Sequence, residues 1–126
     1  MNHNVETVPR LYSSVRPIAS FEQSLELLKR VKQIDSSVYA KSGMMLGLGE
    51  KNEEELEVMK LVREAECDFF TVGQYLTPTD KHHPVVEYVH PDVFEEYRQI
   101  GEEMCFSYFA SAPLVRSSYM AVQALI

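Results

Sequence analysis

Apolar positions follow two different periods along this chain. Three stretches recur at helical spacing: Phe21, Leu25, Leu28, Val31; then Leu56, Met59, Val62, Ala65; then Phe94, Tyr97, Ile100, Met104. Each follows a capping-box pair, Ser20 with Gln23, Asn52 with Glu55, and Asp92 with Glu95 just after Pro91. A side-chain acceptor at the cap satisfies amides that the first helical turn leaves unbonded. Between the helices lie short apolar runs at residues 38–46, 68–76 and 106–110, rich in β-branched and aromatic residues, which predict strands. The opening NHNVET predicts the end of another strand, and residues 77–91 predict a long irregular stretch. The order β-α-β-α-β-α-β implies an α/β fold with a parallel sheet and helices outside. Few strands are present to close a sheet, and a closed eight-stranded barrel needs roughly 200 residues. The expectation is therefore part of a TIM-type (β/α) barrel, with residues 1–126 forming one domain.

Composition narrows the partners. The chain is 45% hydrophobic and 25% charged, as globular proteins are. Twelve basic residues against nineteen acidic ones give a formal charge of −7, which repels nucleic acid and anionic membrane. No apolar run approaches the roughly 20 residues of a membrane span, and the polar N-terminus shows no secretory h-region. Cys67 and Cys105 are too few and too far apart for a zinc motif, so both are expected as reduced, buried thiols.

In parallel α/β folds the strand C-terminal ends carry the chemistry, and polar residues cluster at those ends here. Alternation would aim Asn2, Asn4 and Glu6 to one side, where a carboxamide and a carboxylate suit a ribose diol or an ammonium group. A solvated terminus is the commoner fate of such residues. Lys41 and Ser42 lie within the second strand run. That run ends in Gly43-Met44-Met45-Leu46-Gly47-Leu48-Gly49-Glu50, whose glycines allow a tight turn and close approach to a flat ligand. An ordinary strand-to-helix loop explains the same glycines, and no Gly-Lys-Ser/Thr follows to make a phosphate loop. Gln74 and Tyr75 close the third run. Arg116 beside Ser117 and Ser118 suits an anion or a metal–oxygen bond, although a surface loop accounts for it equally. His82, His83 and His90 make a poor metal chelate, because adjacent side chains in an extended segment point apart. Glu53, Glu54 and Glu55 are expected as a solvated first helical turn that suits the helix dipole.

Taken in order, NHNVETVPRLY, VRP, AKSGMMLGLGE, TVGQYLTPT, HHPVVEYVHPDVFEEY and SAPLVRSSYMA resemble the lipoyl synthases, members of the radical S-adenosylmethionine superfamily. The likeness runs from Asn2 to about Ala121 and implies the C-terminal part of a partial radical-enzyme barrel. It implies insertion of two sulfur atoms into an octanoyl chain carried by a lipoyl domain or a glycine-cleavage carrier protein. It further implies S-adenosylmethionine, two [4Fe–4S] clusters and an electron donor such as ferredoxin or flavodoxin. By resemblance, Gly43, Met45, Gly47, Gly49 and Glu50 belong to the segment against the adenine. Asn4 and Glu6 would lie near the ribose or methionine moiety, Lys41 would meet its carboxylate, and Gln74 and Tyr75 would line the mouth. Ser118, with Ser117 as the alternative, resembles the oxygen ligand of the second cluster, and Arg116 would stand beside it. The location implied is the cytoplasm in a bacterium, or a mitochondrion or plastid in a eukaryote.

The departures are as informative. The family carries two cysteine triplets upstream, and a ferredoxin-like cluster needs cysteine thiolates; Cys67 and Cys105 fit neither triplet. Ala112 stands where the family usually has glycine. An isolated chain is therefore expected to be inactive. The alternative is a non-catalytic carrier-binding or regulatory module.

Overall fold

The computed structural model describes residues 3–12, 20–77, 79 and 83–114. Strands β1 (Lys41–Leu46), β2 (Phe69–Gln74) and β3 (Tyr108–Ser111) form a parallel sheet in that order. Helix α1 (Phe21–Ile34) precedes β1, and helices α2 (Asn52–Glu64) and α3 (Pro91–Glu103) provide the two crossovers. The register pairs Lys41 with Phe69, Gly43 with Thr71 and Met45 with Gly73, then Phe69 with Tyr108 and Thr71 with Ala110. This is the parallel α/β arrangement expected of consecutive (β/α) units.

One face of the sheet makes the core. Phe70 stacks on Phe106 and Phe109 at centroid distances of 5.7 and 5.8 Å. Gly101 of α3 touches the Phe109 ring so closely that a Cβ there would lie 2.4 Å from it. Leu28, Val58, Met59, Val62, Phe94 and Tyr97 join the same buried cluster. By strand alternation, Lys41, Gly43 and Met45 occupy the opposite face with Phe69, Thr71 and Gly73.

Helix starts differ from the sequence reading in two of three cases. Ser20 caps α1 as expected, its hydroxyl accepting from the Gln23 amide at 3.4 Å. The cap of α2 is Lys51 rather than Asn52. Its N–H donates to Glu54 Oε1 at 2.9 Å, so the reciprocal carboxylate is Glu54 and not Glu55. Arg10 pins that carboxylate in place from outside, with Nε and Nη2 at 3.0 and 2.9 Å. The cap of α3 is His90 rather than Asp92. Proline at the first helical position forces an extended residue before it, and His90 Nδ1 accepts from the Asp92 amide at 3.1 Å.

Two burial expectations are also corrected. Glu55 is only 4% exposed, because it sits one helical turn before Val58 and Met59 on the inward stripe of α2. Cys105 is exposed, at φ 69 beyond the last turn of α3, where the chain reverses toward β3. Cys67 is buried as expected; its thiol donates to the Ala40 and Phe69 carbonyls, and burial pushes it up to about 12.

Among the described residues the opening segment falls short of a regular strand. It makes one parallel bridge, Glu6 to Met44, with His3 N–H on Lys41 O and Glu6 N–H on Gly43 O. Glu6 then turns with φ 75, which interrupts the expected alternation, and a 3₁₀ turn at Pro9–Leu11 follows.

Candidate functional site: a polar cavity on the open sheet face

A cavity of about 180 Å³ opens where the first segment meets the uncovered face of β1 and β2. Asn4, Glu6, Gly43, Met45 and Gln74 of the expected set line it, together with Met44, Thr71 and Gly73. A carboxylate, two carboxamides, a hydroxyl and strand backbone thus converge on one hollow. Glycine at position 43 is what permits the convergence. A Cβ there would lie 2.4 Å from Thr71 Oγ1 and 3.4 Å from Asn4 Oδ1.

Thr71 and Gly73 escaped sequence reading, although they share one strand face two residues apart. Only the register shows that this face is the one shared with Gly43.

Lys41 lies on the same face but outside the cavity lining. It is 5% exposed, its Nζ has no hydrogen-bond partner among the described residues, and desolvation lowers its pKa. An unpaired buried ammonium suits an anionic group brought from elsewhere.

The glycine loop does something different. Glu50 turns its carboxylate back onto its own loop, accepting from the amides of Gly47 at 2.8 Å, Leu48 at 3.2 Å and Gly49 at 3.1 Å. Gly47 O in turn accepts from Val86 and Glu87 N–H at 2.8 and 3.3 Å. Residues 83–89 thereby form a strap over the loop. Gln74 staples the strap, donating from Nε2 to Glu87 O at 3.0 Å and accepting at Oε1 from Val89 N–H at 2.9 Å. Tyr75 OH donates to His83 O at 2.6 Å, and the His83 ring pairs with Leu48 O at 2.8 Å. Gly47, Gly49, Glu50 and Tyr75 therefore build the wall above the cavity rather than its lining.

Behind that wall, Glu55 faces Tyr97 across α2 and α3. Burial, reinforced by Glu50, Glu87 and Glu54, pushes the Glu55 carboxyl to about 7, against the favourable influence of the neighbouring Tyr97 hydroxyl. The same burial and the carboxyl push the Tyr97 phenol upward.

Arg116, Ser117, Ser118, Asn2 and His82 lie outside the described residues. Among the described residues no three His, Cys, Asp or Glu side chains converge, and no helix is long and apolar enough to cross a membrane.

No family model matches the chain. Curated relatives do. It is 56% identical over 119 residues to the lipoyl synthase of Caldicellulosiruptor bescii, covering 94% of this chain and 41% of that one. It is 52% identical over 126 residues to the lipoyl synthase of Aquifex aeolicus, covering 100% and 46%. With the lipoyl synthase of Idiomarina loihiensis it shares 57% identity over 120 residues, covering 95% and 37%. The chain thus spans about two fifths of the length of the curated relatives it matches.

Proposed function

We propose, from the premise that this chain is homologous to the lipoyl synthases over about two fifths of their length, that it serves lipoyl synthesis and holds one side of an S-adenosylmethionine site. The observation that carries the reading is the convergence of Asn4, Glu6, Gly43 and Thr71 on one cavity. The cavity's chemistry fits that ligand. Glu6 and Asn4 are suited to ribose hydroxyls or an ammonium, and the strand at Gly43, Met44 and Met45 offers an apolar wall to a flat base. Lys41, buried and unpaired, is suited to a carboxylate. When bound, S-adenosylmethionine supplies the adenosyl fragment that removes hydrogen from an unactivated carbon. The chain's own residues orient it and exclude water.

The reaction proposed is insertion of two sulfur atoms into an octanoyl chain held by a lipoyl carrier domain or the glycine-cleavage carrier protein, with electrons from a ferredoxin or flavodoxin. The described residues do not fit an iron–sulfur cluster. Cys67 is sealed under the sheet with its thiol donating to carbonyls, and Cys105 is a lone exposed thiol past α3. Cysteine ligands would come from other polypeptide, with Ser118 or Ser117 of this chain as the oxygen ligand and Arg116 beside it. The chain alone is accordingly expected to be inactive. Its incubation with ferrous iron, sulfide, a low-potential reductant, S-adenosylmethionine and an octanoylated carrier should yield no lipoyl product.

Calorimetric titration with S-adenosylmethionine tests the site. The chain should bind saturably; Glu6→Gln should weaken binding about tenfold, the value of one charge-assisted hydrogen bond. Gly43→Val should abolish it. Absence of saturable binding by the unaltered chain ends the reading.

A second reading, a non-catalytic carrier-binding or regulatory module, is favoured by exposed Leu76, Val86 and Tyr88 near the strap. Saturable binding of a lipoyl carrier domain, lost on Tyr88→Ser, would support it.

A further inference from the structure

Glu6 is the one cavity-lining residue other than glycine whose backbone φ is positive among the described residues, at 75. The Thr7 amide donates to Val5 O at 2.9 Å, closing a three-residue γ-turn of the rare positive-φ kind centred on Glu6. For a residue with a Cβ such a turn is strained, and it persists only when the surroundings over-determine it.

The surroundings do so through Val5. Its N–H donates to Ser42 Oγ at 3.1 Å, inside the core. Its carbonyl receives the Tyr12 hydroxyl as well as the Thr7 amide. The Glu6 N–H and O are held by Gly43 O and the Met45 amide at 3.0 and 2.9 Å. Both peptide groups flanking the turn are therefore tied to buried partners. Val5 itself is fully buried and Thr7 is 1% exposed, so water cannot replace a lost partner cheaply. Tyr12 is anchored in turn by its edge-on packing against Phe21 of α1, at 5.9 Å.

We infer that Tyr12 and Ser42 are positioning residues, which hold the strained turn that presents the Glu6 carboxylate to the cavity. This rests on the adenosyl-site reading for what Glu6 contacts, but not for the turn itself. Neither side chain lines the cavity, so each acts through Glu6. A pocket edge set in advance spares the ligand the work of ordering it.

The test uses the full chain with two readouts, hydrogen exchange of the Thr7 amide by NMR and titration with S-adenosylhomocysteine. Tyr12→Phe keeps the ring and removes the hydroxyl; Ser42→Ala removes the acceptor, and Ser42→Thr keeps it. Tyr12→Phe and Ser42→Ala should each speed Thr7 exchange and weaken binding about tenfold, as loss of one buried hydrogen bond does. Ser42→Thr should restore both. Adding Glu6→Gly to Tyr12→Phe should restore Thr7 protection, since glycine takes positive φ freely, yet leave binding weak because the carboxylate is gone. Unchanged Thr7 exchange in both single variants overturns the inference. So does a failure of glycine to restore protection, which would leave Tyr12 a general packing role. If the unaltered chain binds no S-adenosylhomocysteine, the adenosyl-site reading fails, and exchange still decides whether Tyr12 and Ser42 hold the turn.

Discussion

The segment from Gly43 to Glu50 reads as one glycine-rich unit, but its two halves have opposite roles. In the strand half, Gly43 keeps a face bare so that Asn4 and Thr71 close around a hollow. In the loop half, the amides of Gly47, Leu48 and Gly49 are already filled by Glu50, and the strap lies on top. The first half is open to a ligand; the second is self-satisfied structure. Glycine content alone does not distinguish them. What distinguishes them is whether the space beside the backbone is filled: a hollow is left beside Gly43, whereas Glu50 and the strap occupy the loop.

Substitution at the two glycines should separate these roles most clearly. Gly47 has φ +96, and a Cβ there would lie 2.3 Å from Glu87 O. Gly47→Ala should cost roughly 3 kcal/mol in denaturant unfolding, from the sum of backbone strain and overpacking. Gly43→Ala overpacks as well, its Cβ 2.4 Å from Thr71 Oγ1, but without a positive φ, so it should cost less stability than Gly47→Ala and should also weaken ligand binding. Equal stability losses in the two variants would erase the contrast.

A smaller effect comes from pH. The folded Glu55 carboxyl, near 7, holds its proton above its ordinary value of 4.5. Its contribution to stability is therefore fully present below about 4.5 and is lost as pH rises through about 7. The loss is read as a falling unfolding midpoint between those limits. Glu55→Gln should flatten that slope. An unchanged slope would mean that another group carries it.

The smallest effect concerns Glu50. Glu50→Gln keeps an acceptor for the loop amides but removes its charge, and should lower stability by about 1 kcal/mol. Ligand affinity should stay within twofold. A large loss of affinity would move the loop from wall to lining.

The fold was largely legible beforehand. All three helices and all three strands follow from capping pairs and periodicity, because those signals are local. The errors were local too, and each had a neighbour behind it. Pro91 moved the α3 cap to His90, and Arg10 held Glu54 as the partner of Lys51. Glu55 looked like a solvated charge until its place on the α2 stripe was weighed against Val58 and Val62. The site was legible in part. Asn4, Glu6, Gly43 and Gln74 follow from their polarity or backbone freedom and Met45 from the family resemblance, whereas Thr71 and Gly73 need the pairing register.

By itself the amino-acid order determined the helical and strand periods, the parallel α/β class and the kinship with lipoyl synthases. These depend on neighbours a few residues apart, or on the string of residues as a whole. Tertiary structure decided which face of β1 stays open, that Glu50 fills its own loop, and that Val5 is clamped by Ser42 and Tyr12 around a positive-φ Glu6. The Val5 clamp hangs on contacts between residues 7 and 37 positions apart, and the Glu50 contacts, only one to three positions apart, are made to backbone groups, which every residue carries alike and which no side-chain pattern reports.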